Sequence, residues 1–167
     1  LSGPIDYTPG IFNIKFDEYK PDNQVNTTIA QQLALYVVIY SPIQMAADLV
    51  EHYEANPEPL QFIKDVGVDW QQTKVLNGEV GDYVTIARQE RETGDWFVGG
   101  ITDENARTID LTFDFLDDNQ SYEAIIYKDG DNAHWDENPL DIIIEKIEVS
   151  KGSNLSVKLA EGGGFAI

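Results

Sequence analysis

IDLTFDF, residues 109–115, alternates apolar and polar side chains without a break: Ile109, Leu111, Phe113 and Phe115 fall on one face, Asp110, Thr112 and Asp114 on the other. That period of two is the signature of a half-buried β-strand. Shorter segments of the same kind surround it. YVTIA (83–87) leads to a turn at Glu92-Thr93-Gly94-Asp95, WFV (96–98) follows, and residues 122–127, 141–149, 155–159 and 165–167 repeat the pattern downstream. Strands at intervals of about ten residues, punctuated by Asp-Gly and Gly-rich turns, predict an antiparallel β-sandwich. Gly99-Gly100 marks a bulge or a close backbone approach, and Trp96, alternating with Val98, reads as sandwich core.

Upstream of about residue 66 the period changes. Asn26, Thr27 and Thr28 are N-cap candidates, since a side-chain oxygen there accepts from the free amides of a first turn. Ile29, Leu33, Tyr36, Val37 and Tyr40 then recur at helical spacing, and Ala30, Ala34, Leu35 and Val38 make the opposite face apolar as well. Such a helix needs burial on most sides. The β-branched run Val37-Val38-Ile39 predicts a change to strand before Ser41-Pro42. EPLQFIKDV (58–66) is a second amphipathic helix, with Leu60, Ile63 and Phe62 inward. A strand–helix–strand–helix piece of this kind has no core of its own, so it reads as part of a larger α/β unit. Its apolar helix, residues 27–38, is expected either to drive self-association or to pack against the sandwich.

Composition narrows the function. The 167 residues hold 30 Asp and Glu against 11 Lys and Arg, a formal charge of −19. Such a surface repels phosphate backbones and anionic membranes, which argues against nucleic acid as partner. There is no cysteine, which removes disulfides, thiolate metal sites and cysteine nucleophiles. His52 and His134 are the only histidines, so a three-histidine metal site is excluded within the chain. No apolar run approaches the ~20 residues of a membrane span. LSGPIDYTPG lacks a basic region followed by an apolar one, so it is not a secretion signal.

GPIDYTPGIF (3–12), TTIAQQLALYVVIYSPIQMAADL (27–49), QFIKDVGVDW (61–70), YVTIARQ (83–89), GDWFVGGIT (94–102), LTFDFL (111–116) and GGGFAI (162–167) together resemble the C-terminal third of glycoside hydrolase family 97, in order and over essentially the whole chain. The likeness is to its calcium-dependent α-glucosidases. It implies an α/β plus all-β chain: residues 1–66 as the C-terminal quarter of a (β/α)8 barrel, then an antiparallel β-sandwich over 67–167. Residues 3–7 would end strand seven, 27–38 would be the following helix, 39–45 would hold strand eight and 58–66 the closing helix. The resemblance further implies a parent enzyme that cleaves terminal α-glucosidic bonds of starch oligosaccharides in the periplasm or outside the cell. Its acid, base and calcium-holding glutamates would lie upstream, so no catalytic or metal residue is assigned here and no calcium is expected on this chain alone. A retaining α-galactosidase of the same family is the alternative activity. A non-catalytic structural or carbohydrate-binding module is the alternative for the chain by itself.

Three residues are candidates for contact with a sugar. Asp6 lies where a barrel strand would deliver side chains to the C-terminal face; it also suits an Asx-turn organising Tyr7-Thr8-Pro9-Gly10. Asp48, in QMAAD, either lines the same pocket or N-caps a short helix at residues 49–53. Gln44 is a pocket-wall candidate on position, with Met45 beside it. Asp6 and Asp48 could in principle form the carboxylate pair of a glycosidase, although the family places its chemistry elsewhere. The oxygen-rich loop at 129–138 fails the EF-hand pattern, with Ala133 at the fifth position and His134 where Gly is required, and reads as a solvated turn. Trp135 in that loop is the candidate for stacking on a sugar ring, and Gly162-Gly163-Gly164 reads as a turn into the last strand.

Overall fold

The computed structural model describes residues 5–16, 20 and 23–167. Helices come first: α1 (Ile29–Val38), α2 (Val50–Glu54) and α3 (Pro57–Asp65). The strands follow: β1 (Trp70–Glu79), β2 (Tyr83–Glu90), β3 (Trp96–Thr102), β4 (Arg107–Thr112), β5 (Ser121–Asp129), β6 (Ile142–Ser150), β7 (Asn154–Leu159) and β8 (Gly164–Ala166). Six of them form one antiparallel sheet in the order β1-β2-β3-β8-β5-β6, while β4 pairs with β7 in a separate two-stranded sheet.

Strand alternation sorts the side chains of the large sheet onto two faces. Ala87, Val98, Ala124 and Phe165 pack with Ile109 and Leu111 of β4 and Val157 and Leu159 of β7, which is the sandwich core. Phe113 and Phe115, just past β4, continue the same layer, and the Trp96 ring packs at a tilt against Phe115, centroids 4.8 Å apart. Phe97, Ile125, Tyr127 and Ala166 belong to a second core, shared with Ile29, Leu33, Tyr36 and Val37 of α1 and Phe62 of α3. The large sheet is therefore covered on both faces, and the second core draws on residues from both sides of position 66.

The helix expected to need cover on most sides is buried. Thr28 caps α1, its hydroxyl accepting from the Gln31 amide at 3.2 Å, a contribution of about 1 kcal/mol. Leu33, Ala34 and Val37 are fully covered. Glycines make this possible. A Cβ on Gly99 would stand 2.7 Å from the Ala34 carbonyl oxygen, and one on Gly164 would stand 2.8 Å from the Gln31 Cα. Lacking side chains, β3 and β8 let the helix backbone lie directly on the sheet. Of the two fates foreseen for the helix, packing against the sandwich is the one realised; self-association through an exposed α1 is not available to a buried helix.

Arg88 locks the other end of α1. It is 7% exposed and has no carboxylate partner among the described residues. Its Nε donates to the Val37 carbonyl at 2.6 Å, Nη2 to the Val38 carbonyl and Nη1 to the Thr73 hydroxyl, with the Tyr40 and Trp70 rings under the guanidinium. A cation on the last carbonyls of a helix complements its dipole. Arg88→Ala should cost about 2–3 kcal/mol in denaturant unfolding, because charged hydrogen bonds in a buried setting are lost. Arg88→Lys should recover only part of that, since a point charge cannot reproduce the fork.

The expected barrel strands are not regular strands. Gly3 and Pro4 lie outside the described residues. What is present is one parallel bridge between Tyr7 and Gln44: the Tyr7 amide donates to the Ile43 carbonyl at 3.3 Å and the Met45 amide to the Tyr7 carbonyl at 2.9 Å. The β-branched end of α1 gives an extended C-cap at Ile39 rather than a strand. Parallel pairs persist where both faces and neighbouring strands support them, and here the bridge stands alone.

Candidate functional site

Two segments meet at the bridge, residues 5–13 and 43–48, and buried polar side chains hold them. Gln32, a polar residue on the buried face of α1, accepts from the Gly10 and Ile11 amides at 3.0 and 3.2 Å. The Tyr36 hydroxyl donates to the Pro9 and Met45 carbonyls, tying the two segments together. The Tyr53 hydroxyl donates to the Gly10 carbonyl at 2.8 Å and accepts from the Asp48 amide at 3.1 Å. Burial, reinforced by the neighbouring Tyr53 and Tyr7 phenols, holds the Tyr36 hydroxyl well above the usual tyrosine range. These phenols are neutral hydrogen-bonding struts.

Asp48 is the centre of this arrangement. Its Oδ2 accepts from the Phe12 and Asn13 amides at 2.7 and 2.6 Å, while Oδ1 accepts from the Leu49 amide at 2.8 Å and is paired with His52 Nδ1. Burial alone would raise this carboxyl. The Asn13 amide, His52 and the Leu49 and Phe12 amides outweigh it and hold the group below the ordinary aspartate value. The predicted cap is close to what is observed. Asp48 sits one residue before the Leu49 N-cap of α2 and also fastens the 12–13 segment. Four donors occupy its two oxygens, so as placed it positions backbone.

Its titration has a definite sign. The folded value is depressed, so the stabilisation is present above the unfolded value of about 3.9 and is lost as pH falls through the folded value. Asp48→Asn should therefore cost about 2 kcal/mol at neutral pH, from two backbone donors left without their acceptor. The difference from the parent chain should shrink toward pH 3. Faster amide exchange at Phe12 and Asn13 would accompany it; unchanged exchange there would show that Asp48 does not hold the segment.

The other two candidates are placed differently. Asp6 is exposed and takes no hydrogen bond from the described residues, so the Asx-turn is not seen and the carboxylate faces solvent. Gln44 is half-buried; its Nε2 donates to the Tyr36 carbonyl at 2.8 Å, and its Oε1 is buried without a partner among the described residues. Asp6 thus stands next to the bridge and Gln44 forms one side of it, whereas the Asp48 carboxylate is turned inward to the segment 12–13. Around them the surface is apolar: Ile43, Met45, Leu49 and Val50 are 57%, 44%, 61% and 66% exposed.

Trp135 is half-buried, close over Gly162 and stacked with His134, so it offers less open ring than its polar loop suggested. The oxygens of that loop are used locally, the Asp141 carboxylate accepting from the Asn132 amide and Asp136 from the Gln24 side chain. Among the described residues no three His, Asp or Glu side chains gather as a metal would require, and no helix is long and apolar enough to cross a membrane. Sequence reading missed Gln32, Tyr36, Tyr53 and His52 as the framework of the site. A glutamine pair, Gln31 and Gln32, inside an otherwise apolar helix was the available signal.

Comparison with known proteins gives concordant results. A family model described as "Glycosyl-hydrolase 97 C-terminal, oligomerisation" matches residues 69–167. The chain is 40% identical over 171 residues to a retaining alpha-galactosidase of Bacteroides thetaiotaomicron, covering 100% of this chain and 25% of that protein. It is 29% identical over 164 residues to a probable retaining alpha-galactosidase of Streptomyces bingchenggensis, covering 98% and 23%. Among solved structures, a glycoside hydrolase family 97 enzyme from Pseudoalteromonas sp., known in complexes with panose and with acarbose, superposes with a TM-score of 0.93 at 53% identity, over 98% of this chain and 26% of that one. The chain spans about a quarter of the length of the relatives it matches. On these grounds, with the sandwich now placed, the chain belongs to glycoside hydrolase family 97 and carries its C-terminal domain.

Proposed function

We propose that this chain is the C-terminal portion of an α-glucosidase that removes glucose from the ends of α-linked oligosaccharides. The observation that carries this reading is the 53% identity, over nearly the whole chain, to an enzyme that binds panose and acarbose, both α-linked glucose-type saccharides. The second reading, a retaining α-galactosidase, is favoured by the curated relative at 40% identity. In either case residues 1–66 would complete a (β/α)8 barrel and 67–167 would be the sandwich. The parallel Tyr7–Gln44 bridge supports this, since adjacent barrel strands run parallel. The exposed side chains Ile43, Met45, Leu49 and Val50 would then be covered by the rest of the barrel. Asp6 and Gln44 would stand at the sugar-facing end, with Asp48 holding the loop behind them. Calcium in the parent enzyme, a periplasmic or secreted location and assembly into oligomers complete the proposal.

The chemistry of bond cleavage would reside outside this chain. The folded 167-residue chain, given calcium and aryl α-glucoside, should therefore show no turnover above buffer, while an enzyme carrying it as its C-terminal quarter should hydrolyse the aryl α-glucoside faster than the aryl α-galactoside. The reverse preference would establish the galactosidase reading. Turnover by the isolated chain would overturn the placement of the catalytic groups elsewhere.

A further inference from the structure

The large sheet has two edge strands, β1 and β6, and they are built differently. Register shifts between Trp70 and Gln72 and between Val75 and Asn77 break the ladder of β1, and such bulges twist an edge away from further pairing. Strand β6 has none. It matches β5 in nine consecutive pairs, from Ser121 opposite Ser150 to Asp129 opposite Ile142. The Gly130 amide donates to the Asp141 carbonyl at 2.9 Å, and hydrogen-bonding groups along an antiparallel ladder point alternately inward and outward. Ile143, Glu145, Ile147 and Val149 therefore bond to β5, whereas Ile144, Lys146 and Glu148 turn N–H and C=O away from the sheet. Among the described residues no main-chain group meets them. Ser150, next in the series, closes on Ser153 through its amide and its carbonyl.

The side chains along this edge are out of electrostatic balance. Lys146 and Glu148 share one face of the sheet with Glu123, which lies directly opposite Glu148 in the ladder. Like charges so placed destabilise a sheet. Within one chain a single ammonium, Lys146, 2.8 Å from Glu123, stands against the two carboxylates, and the Ser121 hydroxyl donates to Glu148 without neutralising it. A two-fold copy supplies the missing cation. When β6 pairs antiparallel with β6 of a second chain, the residue on the axis sets every other contact. An axis at Glu145 or Glu148 puts carboxylate against carboxylate, and one at Lys146 puts ammonium against ammonium. An axis at Ile147 puts Lys146 of each copy opposite Glu148 of the other, with Ile147 against itself beside the sandwich core.

We infer that two copies of this chain associate through β6, edge to edge and antiparallel about Ile147, so that their large sheets join into one. This rests on the reading that the domain assembles into oligomers, which the description of the family model supports without naming a surface. About four main-chain hydrogen bonds, from Lys146 and Glu148 of each copy, cross the axis together with two ion pairs. That is a small interface of the weak, transient class. A charge of −19 on each copy opposes it at long range. The isolated chain should therefore associate only at high concentration, and with salt enough to screen the net charge.

Sedimentation equilibrium at about 0.5 mM chain and about 0.15 M salt, where the screening length is about 8 Å, should show a reversible dimer. Lys146→Glu and Glu148→Lys should each lower the dimer fraction by roughly fivefold or more. An equimolar mixture of the two variants should restore it, because opposite charges then meet at both pairs; a loss of fold in either variant could not give that rescue. The chain has no cysteine. Ile147→Cys should therefore form an interchain disulfide on oxidation, its Cα atoms lying about 4.5 Å apart across the axis, and Glu145→Cys should not. A dimer unmoved by both charge reversals, or a mixture that fails to restore it, would overturn the inference and leave the oligomer reading standing. A crosslink through Glu145→Cys in place of Ile147→Cys would overturn it too. A chain that stays monomeric throughout would overturn both the inference and the oligomer reading of this domain.

Discussion

Asp129→Ala should destabilise the chain more than any other single carboxylate substitution, by about 3–5 kcal/mol, since each of three buried donors left without its acceptor costs about 1–3 kcal/mol. The carboxylate is 6% exposed and sits where three parts of the fold join. Its Oδ1 accepts from the Thr28 hydroxyl at 2.6 Å, the N-cap of α1, and Oδ2 accepts from the Ala160 and Gly164 amides at 2.8 and 2.9 Å on either side of the last turn. Gly163 between them is forced, since a Cβ there would fall on the carboxylate itself. Truncation leaves two buried amides and a hydroxyl unpaired, and it loosens the helix end and strand β8 together. Circular dichroism melts should show the loss, and amide exchange at Ala160 and Gly164 should accelerate. A melt within 2 °C of the parent would show that water replaces the carboxylate without cost.

Asp129 also gives the chain a pH dependence of predictable sign. Burial pushes its carboxyl up to about 6 in spite of the Thr28, Ala160 and Gly164 donors, and the Asp141 carboxylate acts in the same direction as burial. Because the folded value is raised, the stabilising contribution is fully present below the unfolded value of about 3.9 and is lost as pH rises through about 6. From this group alone, the chain at pH 5 should be about 1 kcal/mol more stable than at pH 7.5. The net charge of −19 pushes the same way, through self-repulsion that grows as carboxylates ionise. The difference between parent and Asp129→Asn isolates the group: the variant should be less stable throughout and should have the shallower slope between pH 5 and 7.5.

Thr28 was legible as a helix cap and Gly164 as part of a turn, but their joining at Asp129 could not be picked out in the sequence. Asp129 stands in YKDGDN at the end of β5, where an Asp before Gly reads as a turn residue, and its three partners lie 101, 31 and 35 residues away. Local pattern carries no record of such a join. The strict alternation of 109–115, by contrast, announced β4 because one face is buried and the other wet, and only Phe113, Asp114 and Phe115 run past its end. Strand β1 escaped notice for the opposite reason. It is an edge strand whose residues from Gln71 to Val75 are exposed on both faces, so no period appears. The site was legible in part. Asp48 was recognised as a residue that organises a helix start, but its hold on Phe12 and Asn13, across 36 and 35 residues, is tertiary. For α1 the apolar faces and two ways of covering them were legible, packing against the sandwich among them, while the surface on which the helix sits was not.

That surface is marked by glycine, and it leads to the second large effect. Gly99→Ala should destabilise by about 1–3 kcal/mol and Gly99→Val by more, because overpacking a close contact forces backbone to move. The added Cβ would meet the Ala34 carbonyl oxygen at 2.7 Å and the Val37 Cβ at 2.9 Å. The first of these is main chain, so no side-chain substitution in α1 relieves it; the helix must rise from β3. Lifting it strains Arg88, which reaches from β2 to the Val37 and Val38 carbonyls at the same end. It also opens the second core, where Leu33 and Val37 are fully covered. Gly99→Val should therefore bind a hydrophobic dye that the parent chain excludes, and exchange should quicken in the amides of α1 while those of β4 and β7, on the far side of the sheet, stay protected. Uniform loss of protection would mean that the helices and the sandwich unfold as one unit. An unchanged melt for Gly99→Ala would mean that the helix moves outward freely, and that the glycines of β3 are not what seats it.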